Sequence, residues 1–249
     1  MAFPTPFRRR SPEPEPDALL LAPDEAPSPA RLEAFSDGVF AIIITLLVLD
    51  LRVPRAGAFD GHSLAAELLN RWPVYVAFVL SFLQVGVVWA NHHSMFHYIR
   101  RTDHVLVALN LVLLMFVAVL PFTTALLSEY VRSDVPERRL AALLYSGVLA
   151  VAGLLFNAVW RHALKAGLVT AHADPHRLHA LRRHWELIPV FYAIAFALAF
   201  VSVTISVGMY PLLLIYYALP GPAVIRWMTA RRARRLPRIW RAALDTIRH

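Results

Sequence analysis

A histidine cluster and two aspartates are the residues whose types and spacing could do chemistry in this chain. His93 and His97 are four residues apart, so one face of a helix could present both to a metal ion. That face has no carboxylate to act as a general base, unlike the H-E-x-x-H motif of metalloproteases. The pattern therefore does not favour a metalloenzyme.

Asp37 and Asp50 enclose an apolar run, Gly38–Leu49, which is too short to cross a bilayer core of about 30 Å. A helix of sufficient length runs from Arg31 to Arg52 and takes Asp37 into the membrane or to its edge. A carboxylate there is costly unless it is paired or hydrated, which makes Asp37 a candidate functional residue. It is either a structural hydrogen-bond acceptor or part of a site. Asp50 is either an interfacial residue or an attractor of cations at a pore mouth.

This helix has two different faces. Gly38, Ile42, Thr45 and Leu49 follow i, i+4, i+7, i+11 spacing and form one stripe, whereas Asp37 points about 140° away from Ile42. In an arbitrary membrane helix such a stripe would simply face lipid or a neighbouring helix.

The composition of the chain that positions these residues is typical of a membrane protein. The 249 residues are 58% hydrophobic and 17% charged, with a mean hydropathy of +0.52, which is more apolar than a soluble domain. A soluble enzyme of this length has too little interior for so much apolar surface. The absence of cysteine excludes disulfides, Cys-ligated metals and thiol catalysis.

Six apolar runs predict an all-α integral membrane protein with six transmembrane helices. The runs are Gly38–Leu49, Pro73–Ala90, Val105–Leu127, Leu140–Trp160, Leu187–Val203 and Ile205–Ile225. The last two nearly touch, and Pro211, Pro220 and Pro222 are expected to interrupt the sixth. We favour two crossings over one long broken helix, because together they have about twice the length that one crossing needs.

The predicted domains are a disordered segment 1–30, a transmembrane domain 31–225 and a basic amphipathic tail 226–249. With six crossings, 19 Arg and Lys residues lie on the side of the termini and 6 on the other. Both termini are therefore predicted to be cytoplasmic. The tail is expected to lie against anionic lipid headgroups, and no nucleic-acid partner is expected.

The first helix also carries a recognisable motif. Arg31, Phe35, Ser36 and Asp37 form R-x-x-x-F-S-D before the apolar helix, which resembles the first-helix signature of the TMEM175 family. A second similar segment comprises Trp89-Ala-Asn-His92-His93-Ser-Met-Phe96, Arg101-x-Asp103, Leu109-Asn110-Leu111 and Leu120-Pro121-Phe122. The resemblance covers residues 31–127.

The resemblance implies a potassium-permeable cation channel of the cell inner membrane, without a TVGYG filter or a cofactor. It implies a homotetramer whose central pore is lined by the first helix at Ile42, Thr45 and Leu49. Apolar rings at Ile42 and Leu49 would gate by dewetting, and Thr45 would assist partly hydrated monovalent cations.

Arg31, Phe35, Ser36 and Asp37 would then hold the pore helix in place. Their expected partners share one face of the second helix: Trp89, His92 and His93. Which histidine meets Asp37 is open, and so is the choice between a static network and a pH sensor. The alternative function is a proton-coupled secondary transporter, in which Pro211 and Pro220 would break the last helix.

Overall fold

The computed structural model describes residues 27–54, 63–170 and 175–218, with side chains from residue 185 onward in the last range. The helices are α1 (Pro29–Leu46), α2 (Leu64–Asn70), α3 (Trp72–Phe96), α4 (His104–Ala118), α5 (Leu120–Tyr130), α6 (Val135–Lys165), α7 (Pro175–Val201) and α8 (Val203–Ala218). A 3-10 turn, Leu47–Asp50, extends α1. The predicted segment 1–30, apart from its last four residues, and the predicted tail 226–249 lie outside these ranges.

Prolines and capping side chains set the helix starts. α1, α3, α5 and α6 each have a proline in the first turn, where the missing N–H costs no helical hydrogen bond. Asp103 caps α4 by accepting a hydrogen bond from the Leu106 N–H at 2.7 Å. Because of these prolines and caps, the helices begin close to the starts of the apolar runs.

Within the described residues, four stretches are long and apolar enough to cross a membrane: Pro29–Asp50, Trp72–Phe96, His104–Tyr130 and Val135–Lys165. Two shorter apolar stretches, Trp185–Val201 and Val203–Ala218, complete the all-helical architecture. The third stretch is not one continuous helix, because α4 ends at Ala118 and α5 begins at Leu120. Pro121 lacks the N–H that would bond to Val117 in a continuous helix.

α7 and α8 are separate helices. The chain turns near Ser202, and Ser206 Oγ donates to the carbonyl of Ala195 at 2.7 Å, while the Tyr192 and Tyr217 rings stack at 6.4 Å. The two helices therefore run antiparallel, as six segments require. The expected interruption at Pro211 is wrong, since α8 continues through it.

α6 is the central helix of the subunit. It packs against α4, α5, α7 and α8, whereas α1 packs on α3 and α4 at the other side of the bundle. At Gly153 the backbone of α7 comes so close that an added Cβ would lie 3.3 Å from the Pro189 Cα. The glycine thus permits a tight α6–α7 contact.

The loops gather at two ends of the bundle. At the first end, the Arg100 N–H donates to the Leu168 carbonyl at 2.8 Å and the Thr170 N–H donates to the Tyr98 carbonyl at 2.9 Å. Thr102 Oγ1 donates to the Pro27 carbonyl, which joins the start of α1 to the same layer.

At the opposite end, Arg132 donates to the Asn70 carbonyl at 3.0 Å and lies 5.5 Å above the Trp72 ring. Arg71 donates there to the Arg52 carbonyl at 3.2 Å. Successive connections thus alternate between the two ends, as a chain that crosses a membrane repeatedly requires.

Candidate functional site

α1 separates into a packed face and an uncovered face. The packed face consists of Leu32, Ser36, Phe40, Ile43 and Leu47, all buried. The other face carries the predicted stripe, where Ile42 is 60% exposed and Leu49 68% exposed in the single chain. Gly38 and Thr45 are exposed on the same side. A single subunit therefore leaves this apolar stripe without cover.

Thr45 contributes the hydroxyl of this stripe. Its Oγ1 donates to the Ile42 carbonyl at 2.8 Å, within the same helix. Because the proton is used internally, the remaining lone pairs of the oxygen face outward as acceptors. The hydroxyl can therefore accept a further hydrogen bond but has no second proton to donate.

Asp37 is held by the second long helix. The indole Nε1–H of Trp89 donates to Asp37 Oδ1 at 2.9 Å. Neither His92 nor His93 forms a hydrogen bond or ion pair with Asp37 in the structure. The hydrogen-bond partner of Asp37 is therefore Trp89 and neither of the two histidines.

Ser36, Asn110 and His92 form a chain of buried hydrogen bonds that joins α1, α4 and α3. Asn110 Nδ2 donates to Ser36 Oγ at 2.9 Å, and Ser36 Oγ donates to the Leu32 carbonyl at 2.8 Å. Asn110 Oδ1 can only accept, so the His92 Nε2–H donates to it at 2.8 Å. All three side chains are fully buried.

The surroundings of His92 favour one neutral tautomer. Its ring packs edge-on against Phe40 at 5.3 Å and stacks on Phe96 at 4.5 Å, and its Nδ1 is buried without a hydrogen-bond partner among the described residues. A second proton would create a buried N–H with no acceptor. His92 therefore fits the static network better than the pH sensor.

His93 lies at the surface of this cluster. Its Nδ1 is 2.8 Å from Glu33 Oε1, and its ring stacks on Trp89 at 6.0 Å. Arg31 and Phe35 are exposed in the single chain, and no described residue forms a hydrogen bond or ion pair with the Arg31 guanidinium. The structure thus brings together Ser36, Asp37, Trp89, His92 and His93, and leaves Arg31 and Phe35 at the edge.

Asp50 lies at the opposite end of α1. It lines a pocket of about 400 Å³ together with Arg52, Arg71 and Glu129. Its Oδ2 is buried without a hydrogen-bond partner among the described residues. Asp50 is thus close to both cationic and anionic side chains.

Sequence reasoning missed two members of the cluster, Asn110 and Glu33. Asn110 is the one amide in the uncharged run Val105–Leu127, and a buried amide needs partners, so its position alone was a usable signal. Glu33 precedes Asp37 by one helical turn, which places it on the same side of α1.

The histidines near the end of α3 contact other side chains. Within the described ranges, no group of three or more His, Asp or Glu side chains is arranged to hold a metal ion. His97 instead packs edge-on against Tyr98 at 5.7 Å, just after the end of α3.

A second acid–histidine pair ties the first end of the bundle together. His162 Nε2 at the end of α6 lies 3.0 and 2.8 Å from the two carboxylate oxygens of Asp103. Partial burial acts to raise the pKa of Asp103. The Leu106 N–H, the hydrogen bond and charge of His162, and the nearby His104 outweigh it and lower that pKa overall.

Comparisons with known proteins agree with this architecture. The family described as endosomal/lysosomal potassium channel TMEM175 matches residues 31–121. A potassium channel of Chamaesiphon minutus is 44% identical over 206 residues, which is 82% of this chain and 100% of that protein. A potassium channel of Streptomyces collinus is 44% identical over 190 residues, covering 75% of this chain and 90% of that protein.

A solved structure is also similar. The crystal structure of a lysosomal potassium-selective channel TMEM175 homolog from Chamaesiphon minutus superimposes with a TM-score of 0.70 at 42% identity. The match covers 76% of this chain and 96% of that chain. The similarity therefore includes most of the helical bundle.

Proposed function

This chain belongs to the TMEM175 family of potassium channels, and from that premise we propose that it forms a homotetramer whose central pore is lined by α1. The observation that carries the proposal is the uncovered stripe of Ile42, Thr45 and Leu49, which lies opposite the packed and hydrogen-bonded face of the same helix. Fourfold assembly would cover this stripe by facing it inward. The relatives of this chain are channels rather than enzymes.

The side chains of the stripe suggest how ions pass. Rings of Ile42 and Leu49 offer no oxygen that could replace the hydration shell of an ion, so a narrow passage at either ring is closed by dewetting. Thr45, about one turn from each, presents hydroxyl lone pairs to a partly hydrated cation. Passage should favour potassium over sodium because potassium loses water more easily.

The cluster around Asp37 acts as the scaffold of this pore helix in our proposal. Two hydrogen bonds support this role: Asn110 on α4 donates to Ser36, and Trp89 on α3 donates to the next residue, Asp37. Arg31 and Phe35, which are exposed in the single chain, would extend this scaffold to the neighbouring subunit.

We further propose an inner-membrane location with both termini in the cytoplasm. The alternation of the loops between two ends supports repeated crossing. The sequence count of 19 Arg and Lys residues on the side of the termini against 6 on the other favours cytoplasmic termini. Asp50 would then lie at the outer mouth, where its carboxylate adds negative potential for cations.

The decisive experiment is potassium flux from liposomes that contain the purified chain, comparing wild type with Ile42→Asn. An amide at the apolar constriction holds water there, so we expect a larger potassium conductance with assembly unchanged. Ile215→Asn is the matched control, because Ile215 on α8 is 58% exposed and carries the same substitution away from α1. Ile215→Asn should leave the conductance at the wild-type level.

The same vesicles distinguish the channel from a proton-coupled transporter. Flux through a pore persists when a protonophore collapses the proton gradient, whereas coupled uptake stops. If Ile42→Asn and Ile215→Asn have the same conductance as wild type, α1 does not contain the constriction.

A further inference from the structure

A cleft of about 600 Å³ runs between α6 and α7 toward the first end of the bundle. Glu186 and Pro189 line its α7 wall, and its α6 wall comprises Leu154, Asn157, Ala158, Arg161, His162 and Lys165. We propose that this cleft binds an anionic glycerophospholipid with a single negative charge, such as phosphatidylglycerol.

Along the α6 wall, apolar residues come first and basic residues follow, which matches the acyl chain and the phosphate of a lipid. Leu154, Ala158, Arg161 and Lys165 follow i, i+4, i+7, i+11 spacing and share one helix face. The face is apolar in its first half and basic in its second, and it spans about 16 Å along the helix, close to the depth of one leaflet. An acyl chain therefore meets Leu154 and Ala158 while the phosphate reaches Arg161 and Lys165.

The charges of the lining favour an anionic headgroup. Arg161 and Lys165 are exposed, and neither forms an ion pair with a described residue. His162 is engaged by Asp103 and is not directed to a phosphate. With Glu186 counted, the described lining carries one net positive charge.

The surroundings favour a lipid over a soluble anion or a protein. Leu154 is 58% exposed and Val190, beside Pro189 on α7, is 50% exposed, so apolar surface continues on both sides of the deeper part of the cleft. Such surface matches hydrocarbon. Basic pockets between membrane helices are a known type of headgroup site.

The test is lipid binding to the full-length chain in detergent, followed by native mass spectrometry during titration with phosphatidylglycerol or phosphatidylcholine. We expect wild type to retain phosphatidylglycerol preferentially. Arg161→Gln/Lys165→Gln should weaken that retention about 25-fold at low salt, since each basic residue near a headgroup contributes about fivefold. Arg161→Lys/Lys165→Arg should retain it.

The matched control is Arg100→Gln/Arg101→Gln, which removes the same charge from exposed positions at the same end but outside the cleft. It should leave retention unchanged. An equal loss in this control would mean diffuse electrostatics and overturn the proposal. Displacement of the lipid by excess inorganic phosphate, or equal retention of phosphatidylcholine, would also overturn it.

Folding of each variant is checked by its thermal melting in the same detergent. Lys165→Gln alone, at an exposed helix end, gives a milder second variant with an expected loss of about fivefold. Because the readout is binding, it stands independently of whether α1 lines the pore.

Discussion

Asn110 links α1 to α3 through the two ends of one amide. Its Nδ2 reaches Ser36 and its Oδ1 accepts from His92, so a single side chain on α4 satisfies polar groups on two other helices. All of these groups are buried, where an unpaired donor costs more than a hydrogen bond gains. Loss of the amide should therefore affect stability more than loss of a surface pair.

We expect Asn110→Leu to destabilise the folded subunit by about 1–3 kcal/mol, because the His92 Nε2–H loses its acceptor. Ser36 still donates to the Leu32 carbonyl, so it does not add to this cost. The measurement is the thermal or denaturant unfolding of the detergent-solubilised protein.

The double variant Asn110→Leu/His92→Phe tests the origin of that loss. It removes donor and acceptor together and keeps an aromatic ring between Phe40 and Phe96, so it should recover much of the stability. A double variant less stable than Asn110→Leu would refute the assignment of the cost to the unpaired imidazole.

The Asp103–His162 pair predicts a dependence of stability on acid pH. The folded pKa of Asp103 lies below its ordinary value of 3.8. The contact therefore stabilises the fold fully above about pH 4, and this contribution is lost as the pH falls through the lowered folded pKa.

Asp103→Asn isolates this effect, because asparagine still caps α4 but cannot titrate. The difference in melting temperature between wild type and Asp103→Asn should be largest near neutral pH and should shrink below about pH 4. A difference that stays constant from neutral pH to about pH 3 would show that the carboxylate charge is not involved.

At the scale of helices, the α6–α7 contact depends on Gly153. A Cβ at this position would lie 3.0 Å from Ile188 Cγ2 and 3.3 Å from the Pro189 backbone nitrogen. Backbone atoms of a packed helix cannot move aside as a flexible side chain can. We expect Gly153→Ala to cost about 1–3 kcal/mol of stability through overpacking.

Gly147→Ala is the matched control, on the same helix. Its added Cβ would lie 3.5 Å from the Phe196 ring, which is an ordinary contact. Both substitutions gain about 1 kcal/mol of helix propensity, so Gly147→Ala should be neutral or stabilising in the same unfolding assay. If both variants unfold alike, the close approach of α7 does not limit stability.

Some of this architecture can be predicted from sequence, for identifiable reasons. Apolar runs bounded by prolines and charges locate the helices, because length and hydropathy are local properties. Trp89 can be named as a candidate for Asp37, since it lies on the polar face of α3. The pairing of His92 with Asn110 cannot be predicted from the sequence, because it depends on how α4 is rotated against α3.

Prolines show the same limit of prediction from sequence: the helix breaks at Val119, before Pro121, but α8 continues through Pro211. Pro121 lies in the first turn of the new helix α5, whereas Pro211 is accommodated inside α8. A proline removes one hydrogen bond in both places, and the packing of neighbouring helices decides whether the chain bends.

For the whole molecule, the two ends of the bundle make the orientation testable. The natural chain has no cysteine, so a single introduced cysteine reports one position. Ser133 and Arg101 are exposed at opposite ends. In spheroplasts, Ser133→Cys should react with a membrane-impermeant maleimide, and Arg101→Cys should react only after permeabilisation. The reverse pattern would invert the proposed orientation.

α1 is attached to the rest of the subunit unevenly. Its interhelical polar contacts involve Glu33, Ser36 and Asp37, in the first half of the helix. Beyond Phe40 the packed face is apolar, and the helix tightens into a 3-10 turn at Leu47. We expect the first half of the helix, which these side-chain contacts hold, to move less than the second half. In the proposed pore, the ring at Leu49 should thus open and close over a wider range than the ring at Ile42.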